Sequence, residues 1–442
     1  MGERASRAVL VVLVLAGLGS AGCAGARPAG SSRPAVSAAA SGSPLALASC
    51  PTVVRRLGRI ALTARGRLEL VDLGTCRVTV VRGHDVSQPR FSSDGRWLAY
   101  TLLVTGNRSR PVVIPAGGGP ARSPLGGGII AWSWAPAGEL LYGLTKGGAL
   151  VAAAPTGRRR IMATHLDGSF AISPDGKSVA VNGSRCGRQT PVGELETINL
   201  HTGARSVVLR QRGRVFTFAG WSSDGRWLLF WSETLCSSSI AADGLPLEAV
   251  PATGGKPLQV IRRMLRYDDF LSWCGARLVA AAGSSRETQL GSDLVETQPP
   301  AWQARILQNA RRLSWVSPAC APSGRLVAAA AGPNTEDAQF GVEHRSIWLL
   351  RPNGAAVGQL TSPPARDLSD EAPRFSHDGR WILFVRGKVV PVGQAAISRD
   401  TIELVRASGS ASPVPVINFT SNDFSYFDHF DWPDEIAWSQ PR

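Results

Sequence analysis

The chain has 442 residues, with 48 Lys and Arg against 33 Asp and Glu and a formal net charge of +15 at pH 7. With 44% hydrophobic residues and 13 Trp it has ample material for a large core, which excludes global disorder. Only four of the basic residues are Lys, and the Arg are spread along the chain, which argues for codon bias and against a nucleic-acid partner.

Residues 1–22 read as a signal peptide: Arg4 and Arg7 form a basic start, and an apolar run extends from Ala8 to Leu18. Eleven residues are too few to cross about 30 Å of hydrocarbon as a helix. The run ends in Ser20-Ala21-Gly22-Cys23. This resembles the lipobox of bacterial lipoproteins, which implies cleavage before Cys23 and a diacylglyceryl group on its thiol. The alternative is an ordinary signal-peptidase cut nearby. From Ala24 to Ser49 the sequence is almost wholly Ala, Gly, Ser and Pro, a flexible tether, so residues 23–49 are expected to link a lipidated cysteine to a folded domain spanning 50–442.

That domain is repetitive. Six segments begin at Phe91, Trp134, Ile172, Trp221, Cys320 and Phe375, and read like Phe91-Ser-Ser-Asp-Gly-Arg-Trp-Leu-Ala-Tyr100. Two degenerate copies begin at Trp273 and Trp432, and successive copies lie 38 to 57 residues apart, the period of four-stranded blades. In each, a strand ends at an aromatic or apolar residue, an Asp-Gly turn follows, and a second apolar strand begins. Asp94-Gly95, Asp175-Gly176, Asp224-Gly225 and Asp378-Gly379 are read as structural turn residues, since their spacing differs from the sialidase Asp-box. Later in each period comes a second hairpin, as in Leu195-Glu-Thr-Ile-Asn-Leu-His-Thr-Gly203.

These segments resemble the TolB-type repeat over most of residues 59 to 438. The resemblance implies an all-β propeller with eight blades favoured and seven possible. The ring would be closed by pairing a C-terminal strand at Phe430-Asp-Trp432 with N-terminal strands around Ile60, Leu68 to Leu73 and Arg77 to Val81; Ile436-Ala-Trp438 and Ile60-Ala-Leu62 compete for one position.

Six cysteines remain besides Cys23, an even number in an exported chain. Their positions in the repeat frame predict Cys50 with Cys76, Cys186 with Cys236, and Cys274 with Cys320. No zinc-type Cys/His spacing occurs, and no metal or other cofactor is expected. The cluster Asp423 to Glu435 could offer Asp428, His429 and Asp431 to a metal, although the same residues are needed for the closing strand. Arg158-Arg159-Arg160 reads as a solvated face, or else as a contact for an anionic headgroup or cell-wall polymer.

Connections between second and third strands are long, at about 101–111, 183–194, 232–246, 283–300, 332–346 and 386–400. They would share one face, which with the central opening is the expected binding region. No nucleophile elbow, HExxH, Walker or dinucleotide motif is present. The expectation is therefore an exported monomer, lipid-anchored on the extracytoplasmic side of the membrane, binding another envelope protein or a polymer. A propeller hydrolase or lyase acting on glycans or peptides is the alternative.

Overall fold

A computed structural model describes residues 45–440 apart from 105–107, 137, 139, 167, 184–189, 235–243, 284–290, 335–343, 393–394, 410 and 422–429. Side chains of 108 and 389–397 are also outside the description.

The strands form eight antiparallel sheets, each a blade of one propeller ring. In chain order the innermost strands of blades 2 to 8 are Val86–Phe91, Ile129–Trp134, Ser169–Ile172, Val215–Trp221, Leu271–Cys274, Leu313–Cys320 and Ser369–Phe375. Blade 1 is completed by the C-terminal Ile436–Ser439, which pairs with Arg59–Ala64.

Position in the blade decides side-chain pattern. Second strands have an apolar stretch because neighbouring blades cover both faces: Leu98 to Tyr100, Leu228 to Trp231, Val327 to Ala331 and Ile382 to Val385 are all buried. Outermost strands meet solvent and leave Val80, Ile161, Val207, Ile306 and Val357 about half exposed. Register shifts occur where several of these outer strands pair inward. Such bulges discourage edge-to-edge association. Among the described residues, no helix is long and apolar enough to cross a membrane.

The closing strand is not where the sequence placed it. Phe430 is outside any strand and stacks on Trp432 at 4.7 Å, and Trp432–Glu435 is a helical turn. Pro433 explains this, since it lacks an N–H for a central ladder but suits the first helical positions. The two segments thought to compete are instead partners, Ile60 opposite Trp438 and Leu62 opposite Ile436, which is why the count is eight. A second closure lies outside. Leu45–Leu47, within the expected tether, adds a fifth strand to blade 8, with Leu45 opposite Phe419 and Leu47 opposite Ile417. Immediately after it, Cys50 is bonded to Cys76 in blade 1.

Two of the expected long connections, 101–111 and 386–400, are mostly extended hairpins, formed by Trp97–Val104 with Arg108–Pro115 and by Trp381–Val392 with Ala395–Arg406. In the second, polar groups are matched across the strands: Arg386 holds Asp370 at 2.6 and 2.8 Å and reaches Glu403 at 3.2 Å.

Candidate functional site: the central opening

In blades 2 to 8 a first hairpin turn joins the innermost strand to the second. Its construction is uniform where the Ser-x-Asp-Gly sequence occurs. In blade 2 the Ser92 hydroxyl donates to Asp94 Oδ1 at 2.5 Å and accepts the Trp97 N–H at 3.0 Å, while Asp94 Oδ1 accepts the Arg96 N–H at 3.0 Å. The same three bonds recur from Ser173, Ser222 and Ser376 to Asp175, Asp224 and Asp378. Only the glycines take left-handed backbone, with φ of +69° to +71°. The loop is thus a four-residue connection built on a Ser–Gly turn, rather than a two-residue Asp-Gly turn. Partial burial pushes Asp94 up, but the Ser92 hydroxyl and the Arg96 side chain and N–H outweigh it and hold the carboxyl at about 2. The serines, buried and bonded on both sides, are the turn residues that the sequence reading passed over.

Adjacent inner strands are joined at the ends nearest these turns. The indole N–H of Trp134 in blade 3 donates to Arg90 O in blade 2 at 3.1 Å, and Trp221 in blade 5 to Ala171 O in blade 4 at 3.0 Å. In blade 7 the same repeat position is Cys320, which is bonded to Cys274 of blade 6. Cys23, Cys186, Cys236, Asp428 and His429 lie outside the described residues. Of the arginine run, Arg159 donates to Leu125 O at 3.1 Å, and all three residues are exposed.

Inside the ring, the inner strands of blades 2, 7 and 8 each carry a register shift beside a proline: Gln88-Pro89, Ser317-Pro318 and Ala372-Pro373. The residue before each proline is left-handed, at φ +56°, +47° and +50°. Non-glycine residues hold that conformation at a cost of roughly 1–3 kcal/mol each, and such costs cluster at functional sites. Here the bulges sit where the strands line a cavity of about 580 Å³ among blades 6, 7, 8, 1 and 2.

Charged groups converge on this cavity. Arg90 pairs with Asp434 at 2.5 Å and also donates to Pro433 O. Gln88 donates to the other Asp434 oxygen at 2.9 Å, and Ser317 to Asp269 at 2.9 Å. Arg374 donates to Ile436 O at 2.7 Å. Enclosure by protein lowers Arg374 to about 10, with Arg90 pushing in the same direction and Asp269, Asp431 and Asp434 opposing. It is still a cation at neutral pH. Among the described residues, no group of three or more His, Cys, Asp or Glu is arranged to hold a metal. Arg90, Arg374, Asp269 and Asp434 escaped the sequence reading because Arg is abundant everywhere. One signal was available, since Pro89-Arg90-Phe91-Ser92 and Pro373-Arg374-Phe375-Ser376 put Arg at the same repeat position.

No protein-family model matches this sequence, and no curated protein does. Solved structures with similar folds include TolB from Acinetobacter baumannii, 15% identical over 86% of this chain with a TM-score of 0.35. An oligogalacturonate lyase in complex with manganese is 14% identical over 82% of this chain and 98% of its own, with a TM-score of 0.47. A prolyl endopeptidase is 9% identical over 83% of this chain and 50% of its own, with a TM-score of 0.44. This chain spans 66% of the TolB chain. The strand order alone establishes the fold, and the chain is an eight-bladed β-propeller.

Proposed function

We propose that the protein is an exported lipoprotein, anchored through Cys23, whose propeller binds another envelope protein or an envelope polymer at the face around its central opening. The observation that carries the binding reading is the bulged, charged lining of the 580 Å³ cavity, held on a ring closed at both its inner and outer margins. A rigid scaffold with a polar concavity is the usual form of a recognition site. Two disulfides favour an oxidising compartment, in keeping with export. The lipobox-like Ser20-Ala21-Gly22-Cys23 and the segment after it supply the anchor. Two acyl chains suffice for stable membrane attachment, because each buried methylene contributes about 0.8 kcal/mol.

Crosslinking in the native membrane, followed by identification of the recovered species, tests the partner. Fractionation of Cys23→Ser tests the anchor: release from the membrane is expected, and retention with an unchanged mass contradicts lipidation. One observation favours the second reading, a hydrolase or lyase acting on glycans or peptides. Arg90, Arg374 and Asp269 line one cavity, with Asp434 paired to Arg90, and acid–base chemistry needs such convergence. Turnover on a glycan and peptide panel that is lost in Asp269→Asn, with nothing crosslinked, would reverse the order of the two readings.

A further inference from the structure

The outer margin of blade 1 is basic and lacks the acids that balance arginine on other margins. Residues 45–82 carry seven Arg, and their only acids, Glu69 and Asp72, pair with Arg67 and Arg59. Arg55, Arg56 and Arg77 are exposed and make no ion pair among the described residues. Their backbones are gathered at one place: a Cβ on Gly74 would lie 3.5 Å from Arg55 O, and Cys76, beside Arg77, is bonded to Cys50. On the outer strands of blades 4 and 6, by contrast, Arg205, Arg210 and Arg305 pair with Glu196, Glu194 and Glu296. Residues 407–421, which include the strand Val414–Ser421 of neighbouring blade 8, hold no charged side chain. Clustered cations without a counter-ion make a positive surface that attracts an anionic partner.

We infer that this margin is a docking surface for an anionic lipid bilayer, which the ring meets through Arg55, Arg56 and Arg77. The choice of a bilayer rests on the Cys23 anchor proposed above. Leu45–Leu47 joins the ring at the junction of blades 8 and 1, and the Cys50–Cys76 bond fixes it there, so a membrane that holds Cys23 draws this margin towards itself. Cys23 and Leu45 are separated by residues 24–44, a span that cannot exceed about 75 Å. That leash gives the margin a high effective concentration at the bilayer. The same residues include Arg27 and Arg33 and no acid, which adds attraction of the same sign. Val53 and Val80, exposed in the same segment, present apolar groups that a headgroup layer accepts and a soluble polyanion does not. Each arginine at an anionic leaflet strengthens attachment about fivefold. Three of them attach the ring only weakly, so they orient an anchored propeller and do not replace its lipid. With blade 1 against the bilayer the ring stands on edge, and its central opening stays clear of the membrane.

The test is flotation of the chain from residue 24, which keeps every described residue and carries neither signal peptide nor lipid, with vesicles at low ionic strength. One set is phosphatidylcholine alone and the other equal parts of phosphatidylcholine and phosphatidylglycerol. Binding to the anionic set only is expected, falling as salt is added. The triple variant Arg55→Gln, Arg56→Gln, Arg77→Gln should bind at least tenfold more weakly, and the corresponding triple Lys variant should stay within threefold of the parent. Blade 5 lies opposite blade 1 in an eight-bladed ring, and Arg262 and Arg263 on its outer strand are exposed and unpaired among the described residues. Removing both as Arg262→Gln, Arg263→Gln should change binding by less than threefold. Thermal melts establish that each variant is folded, and the Lys variant keeps the test open should the Gln variant fail to fold. Equal binding to both vesicle sets, binding unchanged in the triple Gln variant, or an equal loss from the blade 5 pair would each overturn the assignment. So would capture of soluble polyphosphate that needs Arg55, Arg56 and Arg77 while anionic vesicles are ignored, which would give the surface to a polymer. This chain has no anchor, so a failure here contradicts the docking surface alone, and the fractionation of Cys23→Ser judges the lipid separately.

Discussion

The junction between blades 6 and 7 and the junction between blades 8 and 1 are held by different means. At the first the chain runs on from one blade to the next, and a single Cys274–Cys320 bond takes the place of the indole-to-carbonyl bonds made by Trp134 and Trp221 at other junctions. At the second the two chain ends meet, and three devices are combined: the inner strand Ile436–Ser439, the outer strand Leu45–Leu47 and the Cys50–Cys76 bond. A junction with continuous backbone needs only local fastening. The one without it must hide two strand edges and offset the entropy of joining distant segments.

The largest effect is expected from a change that opens the second junction and leaves the first alone. Gly58 has φ +82°, and a Cβ there would lie 2.0 Å from Ser439 O, so Gly58→Ala forces the closing strand away from its partner. A loss of roughly 3 kcal/mol or more is expected in denaturant unfolding. Next come the disulfides. Removing either pair as a double Ser variant should cost about 3 to 4 kcal/mol in the chain-entropy account. The two variants should differ in another respect: loss of Cys50–Cys76 exposes residues 45–49 to proteolysis, whereas loss of Cys274–Cys320 does not.

Asp400 offers a smaller effect at the edge of the second junction, in the blade that receives the N-terminal strand. Burial pushes its carboxyl to about 8, opposed by the Ser398 hydroxyl and reinforced by Glu371. Its folded pKa therefore exceeds its unfolded value near 4. Below pH 4 both states are protonated and nothing is lost; between 4 and 8 only the unfolded state ionises, so stability falls as pH rises. Asp400→Asn should gain on the order of 2 kcal/mol at pH 7, with the gain vanishing near pH 4 in parallel melts. The smallest effect belongs to an ordinary junction. Trp221→Phe removes one indole N–H and should cost about 1 kcal/mol in the same unfolding assay.

The sequence made the ring legible because four blades repeat one turn, at Asp94, Asp175, Asp224 and Asp378, whose separations of 81, 49 and 154 residues span two, one and three blades. It misplaced the closing strand because aromatic content at Phe430 and Trp432 suggested a strand, while Pro433 between that pair and Ile436 imposes a helical turn. Leu45–Leu47 was hidden among small residues, since three residues are too few for periodicity to register. The cavity was harder still. Its cations converge only when blades 2 and 8, almost three hundred residues apart, become near neighbours across the closed ring, and no local pattern encodes that meeting.

Hydrogen exchange of the native protein, followed on peptides covering 59–64 and 436–439, tests the closed ring most directly. The account predicts that both exchange together and as slowly as the inner blade strands, because each supplies the hydrogen-bond partners of the other. Rapid exchange of 436–439 beside a protected 59–64 would show a frayed C-terminus and contradict the closure.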